Sequence, residues 1–398
     1  MIGRNNASFT ILHRYFWPQN LPYARMLKDI AETAVSGGYK VSVMSSKPQG
    51  NDALRGQSEW GEANKINLRL LGLGNETGQP FYIKVLLSVY YAFWVFWRLL
   101  CDRPDMVMVA TTPPVIVAAV VRWVTTLYGG QYIYHCQDIH PEAMCLNENI
   151  GKGFIYRVLL WLDKKNVDEA LHVIVLSEDM KKTLVCRGCK SDHIKIINNY
   201  IFECSPEDTN TGREDQKVRF LFAGGIGRFQ NLEFLFDAIE VFSENNDVEF
   251  HFMGDGPMLD KLRGRARKSN LDNVIFLGRQ PVQAALIAMQ NADVGIVSLS
   301  PGIAHVAYPS KTMMYLGNGL PLLTLIDANT ELFNFIEVND LGRAVSLEHK
   351  DAVVEAIDDL IRKGRPSKQR RGEIKALAYE VFGKKSTLEK FSRVFNEC

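Results

Sequence analysis

The chain has 398 residues, 46% hydrophobic and 23% charged, with 46 basic and 45 acidic side chains and a formal net charge of +1. That length exceeds what one hydrophobic core holds, so two domains are expected. The balanced charge carries no basic footprint for nucleic acid. Seven cysteines form no secreted-type framework, and the N-terminal stretch Met1–Pro18 lacks the apolar run of a signal peptide, so a cytoplasmic protein is expected.

The first half alternates strand and helix. FTILHRYF (9–16) reads as a strand, Tyr23–Ser36 as an amphipathic helix ended at Gly37-Gly38, and YKVSVMSS as the next strand. Residues 81–100, FYIKVLLSVYYAFWVFWRLL, carry only Lys84 and Arg98 as charges. The uncharged run between them is shorter than the roughly 20 residues that span a bilayer. Two readings stay open there, a buried core helix and an aromatic-rich helix lying in a membrane interface. DMVMVATT, a further apolar helix, QYIYHCQD, a helix over Phe154–Glu169, HVIVLS, a helix over Glu178–Cys186 and KIINN complete a parallel, doubly wound pattern.

The polar stretch Glu203–Gln216 reads as a linker, after which the alternation restarts. VRFLFAGG, a helix from Leu232, VEFHFMGDG, a helix over Met258–Ser269, NVIFLG, a helix near Gln283–Gln290, DVGIVSLS and then YPSKTMMYLGNGLPLLTL form a second α/β domain. Ligands are expected at the carboxyl ends of both sheets.

Several strand ends carry chemistry. In AGGIGRFQNL, Gly224, Gly225 and Gly227 let backbone approach a ligand, Arg228 adds charge, and the following helix start faces an anion. The turn Gly254-Asp-Gly256 is either a second such cradle or a plain strand-to-helix turn. In Pro309-Ser310-Lys311, Ser310 is expected to cap a short helix whose first turn holds Lys311. Together these turns point to a diphosphate. HCQDIHPEA clusters Asp138, His140 and Glu142 at a strand end, with general base, hydroxyl binder and turn former all open as roles. Cys186 and Cys189 with His193 and Cys204 have metal-like spacing, but Gly188 reads as a helix C-cap, and no metal is expected.

In order, YFWP, DIHPE, VIVLSEDMKKTL, KIINN, AGGIGRFQNLEFL, FMGDGP, VIFLG, ADVGIVSL, PSK…YLGNGLP and ELFNFIE…LGRAV span nearly the whole chain. This set resembles the family-4 retaining glycosyltransferases of the GT-B fold (glycosyl transferases group 1), most of all bacterial enzymes that add amino sugars of the N-acetylfucosamine type to O-antigen or capsule. The resemblance implies an α/β fold of two doubly wound Rossmann-like domains facing across a cleft. It implies an acceptor domain over 1–204 with a membrane-facing helix 81–100, a nucleotide-sugar domain over 205–380, and a C-terminal helix 381–398 crossing back. The implied reaction is metal-independent transfer from a nucleotide-diphosphate sugar, UDP-linked, to a polyprenyl-diphosphate-linked saccharide at the inner face of the cytoplasmic membrane, with no cofactor. A non-catalytic partner subunit and a nucleotide-sugar epimerase of the same fold are the alternatives. Carried over, the donor would meet Gly224, Gly225, Gly227, Arg228, Gln230, Gly254, Gly256, Arg279, Ser310, Lys311 and Met314. Arg228 and Lys311 would hold the leaving diphosphate, and Asp138, then Glu142 and His140, would handle the acceptor hydroxyl. Relatives commonly carry a Glu-x7-Glu pair where Val306 and Met314 stand here, a lysine in place of Gln230, and a Gly-Gly where this chain has Asn20-Leu21-Pro22.

Overall fold

The computed structural model describes residues 7–19, 21–73, 80–148, 151, 153–202 and 215–397. Most of the expected linker, Asn20 and Cys204 lie outside the described residues. The chain divides into two compact units, Met1–Asn199 with Lys385–Cys398, and Tyr200–Lys384.

The first unit is built from β1 (Ser8–Leu12), α1 (Pro22–Ser36), β2 (Lys40–Ser46), α2 (Asn51–Ala63), β3 (Asn67–Leu71), α3 (Phe81–Asp102), β4 (Met106–Ala110), α4 (Ile116–Tyr128), β5 (Gln131–His135), α5 (Glu142–Glu148), α6 (Phe154–Asp168), β6 (His172–Val175), α7 (Glu178–Cys186) and β7 (Ile194–Ile196). Its seven strands are parallel in the order β3-β2-β1-β4-β5-β6-β7. Every residue of β4 (MVMVA) is buried, as in a sheet covered on both faces. In α1 the buried positions Ala24, Leu27, Ile30, Ala31 and Ala34 recur at helical spacing, and Pro22 opens the helix where its missing N–H is not needed. The last helix, α15 (Lys384–Glu397), packs on this unit: Phe395 lies 5.0 Å from Phe9, Phe391 5.4 Å from His135, and the Tyr39 hydroxyl donates to the Phe395 carbonyl at 2.6 Å.

The second unit holds β8 (Val218–Ala223), α8 (Leu232–Ile239), β9 (Val248–Met253), α9 (Leu259–Lys268), β10 (Val274–Gly278), α10 (Val282–Asn291), β11 (Val294–Ser298), α11 (Lys311–Gly317), β12 (Leu322–Leu325), α12 (Glu331–Val338), β13 (Gly342–Val345), α13 (Lys350–Lys363) and α14 (Lys368–Phe382). Six parallel strands run β10-β9-β8-β11-β12-β13. Phenylalanines bind β8, β9 and β10 to α8, with Phe220–Phe250 rings 5.1 Å apart and Phe252–Phe276 5.6 Å. Both sheets reverse their strand order once, at β1/β4 and at β8/β11, and the carboxyl edge at such a reversal is where doubly wound sheets take ligands.

Three sequence expectations change. The strand expected over residues 9–16 ends at Leu12. Beyond it two backbone bonds to β2 continue, His13 N–H to Met44 O (3.2 Å) and Ser46 N–H to Arg14 O (2.9 Å), while the His13 ring bonds the Tyr15 backbone and the Ser46 hydroxyl adds a second donor to the Arg14 carbonyl. The helices α2, α5, α13 and α14 and the edge strand β3 were not expected; α2 (NDALRGQSEWGEA) buries only Gln57, Trp60 and Gly61, and β3 (NLRLL) only Leu71, too little apolar surface to mark an element. The aromatic segment answers to neither expectation alone. One face of α3 is core, with Tyr91, Val95 and Leu99 buried, while Tyr82, Leu86, Tyr90, Phe93 and Trp97 on the other are exposed. It runs on to Asp102, and Tyr82–Asp102 is long and apolar enough to cross a membrane by length and composition, with a mean hydropathy of 1.4.

Candidate functional site

At the carboxyl edge of the second sheet, β8 runs into the turn Gly224–Gly227. Gly224 has φ +140°, and a Cβ there would fall 2.4 Å from Lys311 Cε, so the absence of a side chain lets the Lys311 stem lie across the turn. The Lys311 ammonium sits 3.7 Å from the Phe222 ring centroid. Lys311 opens α11, and one turn on Tyr315 anchors that helix to β8 by accepting the Ala223 N–H at 2.6 Å. Burial pushes the Lys311 amine down to about 7. Among the described residues no carboxylate meets it, so its charge is desolvated yet unpaired. That combination is destabilising in the empty protein and favourable once an anion arrives. Arg228, four residues past Gly224, is exposed, and its side chain has no partner among the described residues.

The remaining turn residues do other work. Gln230 Oε1 accepts the Gly227 N–H at 2.9 Å, so that oxygen and that N–H hold the turn, while the Gln230 amide nitrogen keeps its donors. The Gly225 N–H has no acceptor among the described residues and stays open to one. Gly254, at φ +141°, is required because a Cβ there would lie 1.9 Å from the Gly224 carbonyl oxygen, and Gly256 is packed in the same way against Ile226. The two turns are laced by Gly224 N–H to Met253 O (2.8 Å) and Ile226 N–H to Asp255 O (2.9 Å). Of the two readings of Gly254-Asp-Gly256, the structural one therefore accounts for its glycines. Ser310 precedes α11 in helical conformation and its hydroxyl caps nothing, contrary to the expected cap. Arg279 is exposed just beyond β10. Met314 is partly buried against the core around Met313, Tyr315 and Leu316, and Val306 is buried.

At the carboxyl edge of the first sheet, Asp138 follows β5. Its N–H donates weakly to Thr111 Oγ1 (3.4 Å), its carboxyl group has no partner among the described residues, and burial raises it to about 6. A half-buried, unpaired carboxyl near neutrality suits proton handling or hydroxyl binding. Glu142 is turned elsewhere. Arg187 binds both its oxygens, Oε1 at 2.6 Å, and also takes Asp163 at 2.7 Å and the His140 carbonyl at 2.9 Å. Tyr134 donates to the other Asp163 oxygen at 2.7 Å. Glu142 thus neutralises a nearly buried arginine and leaves the set of proton-handling candidates. His140 is held neutral, pushed down to about 4 by burial and then by the Arg187 charge. Gly188, at φ +77°, ends α7 as expected of a C-cap glycine, and among the described residues no group of three or more His, Cys, Asp or Glu could hold a metal ion.

The sequence matches the family described as "Glycosyl transferase 4-like domain" over residues 23–200 and that described as "Glycosyl transferases group 1" over 217–363. The chain is a GT-B glycosyltransferase. It is 23% identical over 290 residues to "Probable glycosyltransferase WbjE" of Pseudomonas aeruginosa, covering 69% of this chain and 71% of that protein. The crystal structure of Anabaena HepE in complex with UDP superposes with a TM-score of 0.70 at 14% identity, covering 98% of this chain and all of HepE. The apo lipopolysaccharide outer core galactosyltransferase WaaB gives 0.65 at 12% identity, covering 98% and 100%.

Within this glycosyltransferase the structure brings Gly224 and Lys311 together across 87 positions and leaves Gly225, Arg228 and Asp138 available at their sheet edges. It gives Gly227, the Gln230 side-chain oxygen, Gly254, Gly256 and Glu142 structural contacts of their own. Arg187 went unread in the sequence. The one local sign was Asp163, an acid set in the apolar run VLLWLD of α6, which demands a buried cationic partner.

Proposed function

We propose that this glycosyltransferase moves an N-acetylated amino sugar, with retention, from a UDP-linked donor to a polyprenyl-diphosphate-linked saccharide in O-antigen or capsule synthesis. The observation that carries the reading is the unpaired, desolvated Lys311 amine lying on the glycine turn at the strand reversal of the second sheet. A diphosphate there restores the ammonium charge and accepts from it, with the Gly225 N–H and Arg228 as further donors. Those fixed charges stabilise the nucleotide diphosphate as the glycosidic bond breaks, so the reaction proceeds without an added metal. The acceptor oxygen attacks on the face the leaving group vacates, and its proton passes to the departing phosphate oxygen. Asp138 orients that hydroxyl. The UDP bound by HepE supports a UDP-linked donor, and the lipopolysaccharide named for WaaB supports a surface-glycan acceptor.

The protein works at the inner surface of the cytoplasmic membrane. Exposed apolar residues extend from α3 (Leu86, Phe93, Trp97) to α4 (Trp123, Leu127) and α6 (Phe154, Ile155, Trp161). Phe96 and Trp123 join the first two helices at 6.1 Å, and Arg122 ties α4 to α6 through Asn166 and Glu169. Such a patch suits acyl chains at headgroup depth, and Lys84, Arg157 and Lys165 beside it suit anionic lipid.

Incubation of the purified protein, with chelator, with a panel of UDP-hexoses and UDP-N-acetylhexosamines and undecaprenyl-diphosphate-linked mono- and disaccharides tests the reading. Mass spectrometry of the lipid fraction should show one added N-acetylated sugar, and NMR of the product the donor's anomeric configuration. Absence of any glycolipid product refutes the transfer, and an inverted product refutes retention.

A further inference from the structure

His13 stands just past the carboxyl end of β1, next to β4, at the point where the strand order of the first sheet reverses. It is 6% exposed. Nδ1 lies 2.5 Å from the Tyr15 carbonyl oxygen, a separation that needs a proton between them because two lone pairs would repel. The Tyr15 N–H is farther from the same nitrogen, at 3.1 Å. The ring is held edge-on by Tyr23 at 5.0 Å and 83°, and Tyr23 is itself tied to His135 Nδ1 at 2.8 Å. Burial keeps His13 neutral, with a pKa lowered to about 4.

A neutral imidazole with its proton on Nδ1 presents a lone pair at Nε2. Among the described residues no donor meets that lone pair, and the atom is not sealed in the interior as His140 Nδ1 is. The contrast with His135, on the same edge, is direct: both of its nitrogens are taken, by Tyr23 and by Gln137 at 2.9 Å. His13 is therefore a rigid acceptor at the carboxyl edge of the first sheet, its ring held beside Tyr23 and, through Tyr23, beside His135. We infer that His13 Nε2 accepts a hydrogen bond from a hydroxyl of a bound saccharide and so positions that sugar. The inference rests on the transferase reading above, which supplies the saccharide.

Two amide replacements separate this role from a structural one. His13→Asn keeps a donor where Nδ1 meets Tyr15 and removes the Nε2 acceptor, whereas His13→Gln keeps an acceptor at the Nε2 position and loses the inner donor. With the donor–acceptor pair the wild type uses from the panel above, His13→Asn should raise one KM about three- to tenfold, and His13→Gln should restore it to within about twofold. A raised acceptor KM assigns the hydroxyl to the acceptor saccharide, a raised donor KM to the donor sugar. UDP affinity measured calorimetrically should not move in either variant. Wild-type KM values in His13→Asn, or equal impairment in both variants, overturn the inference. Nitrogen-15 NMR of the wild-type histidines decides the case if the variants fail to fold: a proton on Nδ1 supports it and a proton on Nε2 overturns it. If the wild type transfers no sugar at all, the transferase reading falls, and this inference falls with it.

Discussion

Replacing Lys311 by methionine should make the empty protein more stable while removing its hold on the donor. The fall of the amine from 10.5 to about 7 corresponds to about 5 kcal/mol opposing the charged form in the folded protein, at 1.36 kcal/mol per tenfold. The Phe222 face, 3.7 Å from the ammonium, offsets about 1–2 kcal/mol of this. A methionine keeps the stem over Gly224 and Phe222 without the charge, so a gain of about 3 kcal/mol is expected near pH 7, several degrees in Tm. The sign with pH follows from linkage. The folded-state value is depressed, so the unfolded chain binds the proton more tightly between about 7 and 10.5. Wild-type stability therefore rises with pH across that window, and the advantage of Lys311→Met shrinks over the same range. UDP, by recharging the amine, should bind wild-type protein with proton uptake at pH 8, seen as a binding enthalpy that varies with the buffer. The variant should lose that dependence and at least about tenfold in affinity, the worth of a charge-assisted bond. Thermal melts from pH 6 to 10 and titration calorimetry in two buffers suffice. A natively folded Lys311→Met that melts at or below wild type at pH 7, or that binds UDP equally well, refutes the reasoning.

Asp138→Asn should lower kcat about 100-fold and abolish the acid limb of the pH–rate profile near 6, set by the raised carboxyl; a retained limb would assign it to another group. Gly254→Ala drives a methyl into the Gly224 carbonyl and should cost more than about 2 kcal/mol in thermal or urea unfolding. Gly264→Ala, in α9 with open space around it, should instead stabilise by about 0.5–1 kcal/mol, so equal effects would contradict the packing account. The pair Phe93→Asp and Trp123→Asp should release the protein from phosphatidylglycerol vesicles in co-sedimentation, and unchanged binding would remove this face from the membrane contact.

Much of the fold was open to reading because its signals are local. Short apolar strands set between helices, as in HVIVLS before Glu178–Cys186, specify parallel sheets wherever they occur, and the glycine turn after β8 marks its own position. Elements that bury few apolar side chains, such as α2 and β3, carry too little apolar sequence to stand out.

The site was only half legible, for a different reason. Residue types and strand ends pointed to Gly224, Arg228, Lys311 and Asp138, which the fold leaves at the carboxyl edges of the two sheets. Whether a given side chain is spent or available depends on partners far away in sequence. Glu142 meets Arg187 from 45 residues off, and Gly254 is a glycine because of the Gly224 carbonyl. The Gln230 side-chain oxygen, three residues from its partner, is engaged by the glycine turn itself. By itself the sequence determined the alternation of strands and helices, the glycine turn and the kinds of group at each strand end, since these follow from side-chain periodicity and backbone sterics. Only the tertiary structure decided which groups are neutralised and which stay uncompensated, because desolvation and ion pairing are set by what packs around a charge: Arg187 found its acids, and Lys311 found an aromatic ring and no counter-ion.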